Sequence, residues 1–291
     1  MKIAVTGANG YIGSHVVKEL LRRNYTVIAT DVANKNIDKR AKTVLMDIFN
    51  SEDVFNKLDC PDVIIHLAWR NGFDHNNESH INDLPKHYAF LQKMIDSGCR
   101  SVSVMGTMHE IGYHVGEINE NTPCNPMSMY GISKNALRQM LMMYVMGKNV
   151  SLKWLRAFYI TGDDIKNKSI FAKILDSASK GQKTFPFTTG ENKYDFIDVD
   201  TLAKYIVSAS IQNNIDGIIN VCSGEPIALK DKVEEFIQRN KLDIRPEYGV
   251  FPNRKYDSPC IYGNPEKIRQ IICDANNKLR ETIFKGGQYE K

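Results

Sequence analysis

Three glycines, at positions 7, 10 and 13, constrain this chain more than any other feature. They lie in Thr6-Gly7-Ala8-Asn9-Gly10-Tyr11-Ile12-Gly13, directly after the short apolar run Ile3–Val5. Behind them Ile12, Val16, Val17, Leu20 and Leu21 recur at helical spacing as far as Arg23. The pattern therefore reads as strand, tight turn, helix. Gly7 permits the turn, Gly10 lets backbone approach a phosphate without a Cβ in the way, and Gly13 allows close helix–strand packing. The free N–H groups of the first helical turn, at Tyr11, Ile12 and Gly13, face a pyrophosphate with the positive end of the helix dipole. A second strand, Thr26–Thr30, ends at Asp31, about 20 residues on, where a carboxylate accepts ribose hydroxyls. The first thirty-one residues are thus read as a dinucleotide-binding βαβ unit. Asp31 favours NAD(H), whose 2′-hydroxyl is free; Lys35, Lys39 and Arg40 keep NADP(H) open.

The pattern continues along the chain. Thr43–Met46, Val63–Leu67, Ser101–Met105 and Leu152–Leu155 read as further strands, alternating with helical stretches at Ser51–Leu58, Ile81–Ser97 and Met129–Gly147. Alternation of this kind predicts an α/β fold of Rossmann type, a doubly wound parallel sheet covered on both faces. After Phe158 the pattern loosens. Ile170–Lys180, Asp198–Gln212 (capped by Asp198) and Leu229–Asn240 read as helices, Thr184–Thr188 and Ile218–Val221 as extended, and Glu247–Pro265 as irregular. The expected division is a cofactor domain over 1–164, to which some later segments return, and a smaller interwoven substrate lobe over 165–291.

Composition excludes several classes. With 291 residues, 42% hydrophobic and 25% charged, the chain is long enough for a large core and ordinary for a globular protein. Its net charge of +4 is dispersed, so neither nucleic acid nor a membrane surface is an expected partner. None of the six cysteines forms a C-x-x-C pair, and no metal site is expected. There is no run of ~18 apolar residues and no signal-peptide pattern, so a cytoplasmic location is expected.

Tyr130-Gly131-Ile132-Ser133-Lys134 places a phenol and an ammonium four apart, on one face of a helix. A nearby cation favours phenolate and would make Tyr130 a proton shuttle. The spacing alone is more often that of a helix-surface pair.

Together with the glycine turn, these residues resemble the extended short-chain dehydrogenase/reductase family, whose members mostly act on nucleotide-activated sugars. The likeness runs through nearly the whole chain. Asp47-Ile48 is similar to the family's adenine-contacting pair, and His66-Leu67-Ala68 to its fourth-strand cofactor signature, with Leu67 and Ala68 at the cofactor. Thr107, five before Gly112, occupies the place of the catalytic Ser/Thr. Pro126, Leu155-Arg156 and Gly162 also fit. Asp195-Phe196-Ile197-Asp198-Val199-Asp200, and Asn220-Val221 with Ser223-Gly224-Glu225, are hallmarks of the sugar-nucleotide branch. The resemblance implies hydride transfer at a sugar carbon. Tyr130 would move the hydroxyl proton, Lys134 would hold the nicotinamide ribose and depress the Tyr130 pKa, and Thr107 would orient the reacting oxygen.

Departures narrow the branch. Family 4,6-dehydratases carry an Asp-Glu pair after the catalytic Thr; Met108 and His109 stand here, and Glu110 is one place too late. Met108 and His109 are candidate substrate contacts, as are Arg70 and Tyr159. Tyr194 replaces the family's diphosphate-binding Arg, with Lys193 or Arg254 as substitutes. Trp69 serves either core packing or sugar stacking, and Arg70 either substrate or solvent. The C-terminal Leu-Gly-Trp-x-Pro segment is absent, and Lys285–Lys291 reads as a frayed tail. The closest likeness is to reductases of dTDP-linked 4-keto-6-deoxyhexoses, used in surface-polysaccharide synthesis. A 4-epimerase with tightly held NAD and a non-catalytic family member are the alternatives. Family members dimerise through helices corresponding to Ile81–Ser97 and Met129–Gly147, so a homodimer is expected.

Overall fold

A computed structural model describes residues 1–162, 169–252 and 257–286, with side chains as far as 277. In chain order the elements are β1 (Lys2–Thr6), α1 (Tyr11–Arg22), β2 (Thr26–Asp31), β3 (Lys42–Leu45), α2 (Val54–Lys57), β4 (Val63–His66), α3 (Ser79–Asp96) and β5 (Ser101–Thr107). A 3-10 turn (Met108–Glu110), β6 (Gly116–Ile118), α4 (Met129–Val145), β7 (Ser151–Ala157) and β8 (Tyr159–Thr161) follow. The remainder is α5 (Ile170–Ser179), β9 (Thr184–Pro186), β10 (Lys193–Asp198), α6 (Val199–Ile211), β11 (Gly217–Val221), β12 (Pro226–Ala228), α7 (Leu229–Arg239), β13 (Arg245–Glu247), β14 (Cys260–Gly263) and α8 (Glu266–Gly286).

Seven parallel strands form the main sheet in the order β11-β7-β5-β4-β1-β2-β3. The chain reverses its direction of travel across the sheet between β1 and β4, which opens a crevice at the carboxyl ends of the strands. Alternation of side chains assigns the two faces. Ile3 and Val5 pack with Val16, Val17 and Leu20 of α1 and Leu202, Ile206 and Val207 of α6. Ala4, Ile64 and Val102 point the other way, into Phe90, Leu91 and Met94 of α3 and Leu137 and Leu141 of α4. The Rossmann-type fold expected from the sequence is the fold observed.

A second sheet, β12-β10-β14-β6 with β8 beside β10, and a two-stranded β9–β13 ribbon build the lobe. Its core gathers Phe171, Phe187, Tyr194, Phe196, Phe236 and Ile261. Segments cross between the layers: β11, α6 and α8 belong to the main sheet, whereas β6 belongs to the lobe.

Some local expectations are corrected. Ser51 does not cap a helix through Leu58: α2 is one turn, entered at Asp53 with a left-handed backbone and no side-chain cap. The stretch 247–265 is not wholly irregular, because Cys260–Gly263 forms a strand between β10 and β6. Several lobe strands are only three residues long, too short to show a period. The chain beyond Pro265 forms α8, and residues 287–291 lie outside the described ones.

Candidate active site

The glycine turn sits at the crevice. Gly7 has φ +68°, and a Cβ on it would stand 2.6 Å from the Ala68 nitrogen. A Cβ on Gly13 would stand 2.0 Å from the Gly7 carbonyl oxygen. Neither position tolerates a side chain, which explains both glycines. No side chain caps α1, so the N–H groups of its first turn are left for a ligand. Asp31 stands over the turn, accepting from the Asn9 N–H at 3.0 Å and the Val32 N–H at 2.7 Å. Leu67 and Ala68 abut it from β4, their N–H groups donating to the Thr6 carbonyl (3.2 Å) and hydroxyl (3.3 Å). A side-chain-free cradle on a helix N-terminus, with a carboxylate about one strand away, fits a dinucleotide. Asp47 is exposed and occupied locally, accepting from Phe49 and Asn50. Ile48 is buried in the core beside it.

The chemistry gathers where β5 ends. Thr107 is the last residue of β5 and caps the 3-10 turn. Ser128 caps α4, its hydroxyl accepting from the Gly131 N–H at 3.1 Å. A Cβ on Gly131 would lie 2.3 Å from the His109 carbonyl, so only glycine lets α4 come this close to the turn after β5. That approach brings Tyr130 to the end of β5, where the Thr107 side chain favours phenolate. Burial opposes it more strongly, and the phenol is held above its ordinary pKa.

Lys134 is buried, and its ammonium donates to the Met105 carbonyl at 2.7 Å. Burial lowers its pKa to about 7. Its ammonium lies 6.0 Å from the Tyr130 ring centroid, and the expected depression of the Tyr130 pKa by Lys134 is not observed. A carbonyl, rather than the phenol, receives the ammonium.

Five of the seven histidines crowd this site. His75 stacks on Tyr130 (5.2 Å, 19°), its carbonyl accepts the Tyr130 N–H at 2.9 Å, and His109 packs against it at 4.3 Å. Trp69 donates from its indole N–H to His80 at 3.0 Å and stacks on His87 at 4.3 Å. His87 bonds to His66, and His66 to the Thr6 hydroxyl, each at 2.8 Å. Burial favours the neutral form of four of them: His109 is lowered to about 4 and His66 to about 3, and His75 and His87 are lowered as well. Sequence reasoning missed His75, His80 and His87. The signal was their density, five histidines between positions 66 and 109.

Other expected substrate contacts fall differently. Arg70 neither lies free nor reaches towards Tyr130; it grips Asp83 through two bonds of 2.5 and 3.1 Å. Met108 is buried in the lobe core. Tyr159 and Tyr194 pack ring to ring at 4.3 Å, and Tyr194 is buried. Arg254 lies outside the described residues. Trp69 packs as an extension of the core beneath α4, not as an open stacking platform. Among the described residues no side-chain cluster could hold a metal, and no helix is long and apolar enough to cross a membrane.

A dinucleotide cradle at a sheet's switch point, with a Thr–Tyr pair and a buried lysine beside it, defines a pyridine-nucleotide-dependent enzyme acting on an alcohol or ketone. The chain belongs to the NAD dependent epimerase/dehydratase family, whose model matches residues 3–222. It is 45% identical over 269 residues to a dTDP-6-deoxy-L-talose 4-dehydrogenase (NAD(+)) of Aggregatibacter actinomycetemcomitans, covering 90% of this chain and 99% of that one. It is 27% identical over 298 residues to a putative UDP-glucose 4-epimerase of Methanocaldococcus jannaschii, covering 97% and 95%. The UDP-glucose 4-epimerase of Thermus thermophilus, solved with NAD, superposes with a TM-score of 0.78 at 20% identity, over 93% of this chain and 92% of that one.

Proposed function

We propose that this protein interconverts the 4-hydroxyl and 4-keto forms of a dTDP-linked 6-deoxyhexose with NAD(H), working as a 4-ketoreductase in surface-polysaccharide sugar synthesis. One observation carries the reading: α4 packs Tyr130 against the turn that begins at Thr107, whose side chain favours the phenolate, while the next two positions hold Met108 and His109. A ketone or alcohol oxygen set between the two hydroxyls has a proton donor and an orienting partner. No carboxylate stands at the two following positions to eliminate water. Bound NAD(H) would supply or accept the hydride, and Lys134 would hold its ribose. The relative named a 4-dehydrogenase supports this reaction in its opposite direction, and equilibrium and cofactor supply set which way it runs.

In this reading residues 1–164 hold the cofactor and the lobe formed mainly by 165–291 holds the nucleotide sugar. The cytoplasm is the proposed location, in keeping with six unpaired cysteines. A homodimer through α3 and α4 is supported by Ile132 and Met143 on α4 and Met146 at its C-terminal end, all apolar and exposed. Sedimentation of the purified protein as a monomer at micromolar concentration would remove that part.

A 4-epimerase remains the second reading, favoured by the relatives that carry that name. The deciding experiment offers dTDP-4-keto-6-deoxyhexoses and UDP-glucose while following NADH absorbance and product configuration. The proposal expects one NADH oxidised per dTDP-sugar reduced. Turnover of a sugar with no net change in NADH would establish the epimerase instead.

A further inference from the structure

Glu110 falls one residue too late to be the family's elimination acid, and it does not face the crevice. The 3-10 turn over Met108–Glu110 returns every third residue to the same side, so Glu110 comes back beneath Thr107. It is fully buried. One carboxylate oxygen accepts the Thr107 backbone N–H at 2.8 Å, closing a capping box with the Thr107 hydroxyl. The Trp154 indole N–H donates to both oxygens, at 2.9 and 3.0 Å. Two guanidiniums face it at longer range, Arg156 of β7 at 3.5 Å and Arg138 of α4 at 3.6 Å. One side chain thus touches β5, β7 and α4, the elements that present Thr107, Tyr130 and Lys134.

We propose that Glu110 is a positioning residue: its carboxylate fixes the end of β5 against α4 so that Thr107 meets Tyr130, and it is the resident negative charge that both Tyr130 and Lys134 feel. A buried carboxylate is costly unless it is paired and hydrogen-bonded, and a polar or apolar residue would fill the space more cheaply if packing were the whole purpose. The other charges facing the cluster are cationic. Arg138 is also held by Asn135 (2.7 Å) and Cys124 (3.5 Å), and Arg156 by the Asn119 carbonyl (3.3 Å). His75 and His109, on the far side of Tyr130, are driven towards neutrality by burial. Glu110 pushes the pKa values of Tyr130 and Lys134 upward together.

Glu110→Gln separates charge from shape. One glutamine oxygen can still accept from Thr107 and Trp154, with the amide NH2 set against the Arg138 and Arg156 guanidiniums, and the anion is gone, so both Tyr130 and Lys134 release their protons at lower pH. Both limbs of the pH profile of kcat should move acidward by about one unit, with KM little changed. Arg138→Gln leaves the anion less compensated and should move both limbs the opposite way. A network that only supports the fold would lower kcat in both variants without moving either limb, and that outcome overturns the proposal.

The kinetic arm rests on the ketoreductase reading. The 13Cε shift of Lys134, assigned with Lys134→Arg and titrated in the cofactor-free protein, does not. If no sugar turns over, a Lys134 titration that moves acidward in Glu110→Gln and alkaline in Arg138→Gln still supports the role. A midpoint unmoved in both variants refutes it. Should Glu110→Gln fail to fold, Arg138→Gln alone decides by the same sign.

Discussion

The Lys134 ammonium lies 3.9 Å from the centroid of the Trp69 ring, over the same indole that stacks on His87. A cation–π contact and one carbonyl stand in for water around this buried ammonium, with the charge of Glu110 behind them, and together they do not compensate for it fully. The cost appears as a pKa of about 7 in place of the ordinary 10.5. Trp69, His87, His66 and Thr6 continue from Lys134 as a run of touching side chains, so the lysine on α4 and the cofactor turn after β1 share one floor.

The stability of the cofactor-free protein should carry this signature. Between about 7 and 10.5 the unfolded chain holds a proton on Lys134 that the folded chain has lost, so this residue's contribution becomes more favourable as pH rises. Below 7 both states are protonated and the full burial penalty applies. Lys134→Met should therefore be more stable than the parent at pH 6, with the difference shrinking by up to about 1.4 kcal/mol per pH unit across that window. Urea midpoints at pH 6, 8 and 9.5 check it. A difference constant with pH would show that Lys134 is not charged at the expense of folding.

Tyr130 carries its hydroxyl beside Thr107, whereas its ring stacks on His75. Tyr130→Phe keeps the stack and removes the proton. We expect kcat to fall by about 10²- to 10⁴-fold, the range for loss of a positioned acid–base group, with NAD affinity within about twofold. Isothermal titration with NAD and stopped-flow absorbance separate the two. Survival of catalysis would move the proton shuttle elsewhere, His75 and His80 being the nearer rings at 5.2 Å and His109 the next at 6.1 Å.

The cofactor turn and the Thr–Tyr pair were legible because each needs a residue type that sequence displays: a glycine where a Cβ would strike backbone, an apolar stripe behind it, a phenol one turn from an amine. The main sheet was legible because its strands are long enough to show alternation against helices of clear period. The lobe was not, since β6, β8, β9, β12 and β13 are three residues each and pair with partners far along the chain. Arg70 and Glu110 show the other limit. Their residue types suit a substrate pocket, but Arg70 turns to Asp83 and Glu110 turns inward, and side-chain direction depends on neighbours that no spacing reveals. The hallmark runs at 195–200 and 220–225 show no reason for themselves in sequence. The structure supplies one, because Asp195 bonds directly to Ser223.

Gly10 and Gly13 are expected to fail differently. A Cβ on Gly13 meets the Gly7 carbonyl oxygen at 2.0 Å, so Gly13→Ala must displace α1 from β1, at a cost of about 1–3 kcal/mol or more. A Cβ on Gly10 comes no closer than 3.1 Å to Gly7 oxygen and lies on the side where phosphates approach. Gly10→Ala should leave the urea midpoint of the cofactor-free protein almost unchanged while weakening NAD at least about tenfold. Equal loss of stability in both variants would argue that Gly10 serves the turn and not the ligand.

Asp195 clasps the two layers of the molecule. It is fully buried in β10; one oxygen accepts from the Ser223 N–H (2.8 Å) and hydroxyl (2.6 Å), the other from the N–H groups of Gly224 (2.9 Å) and Gly263 (3.1 Å). Ser223 and Gly224 follow β11 of the main sheet, and Gly263 closes β14 of the lobe, so four donors from both layers converge on one carboxylate. An amide cannot accept on both sides. Asp195→Asn sets its NH2 against at least one backbone N–H and should cost about 2–5 kcal/mol, whereas Ser223→Ala, which removes a single hydroxyl bond, should cost about 1–2 kcal/mol. Urea unfolding measures both, with an unchanged m value showing that the unfolded state is the same. Because the clasp holds the lobe to the crevice, Asp195→Asn is also expected to raise the KM for the sugar nucleotide more than it lowers kcat. A loss below about 1 kcal/mol, comparable to an ordinary surface substitution, would mean that packing of the lobe core and not this carboxylate joins the layers.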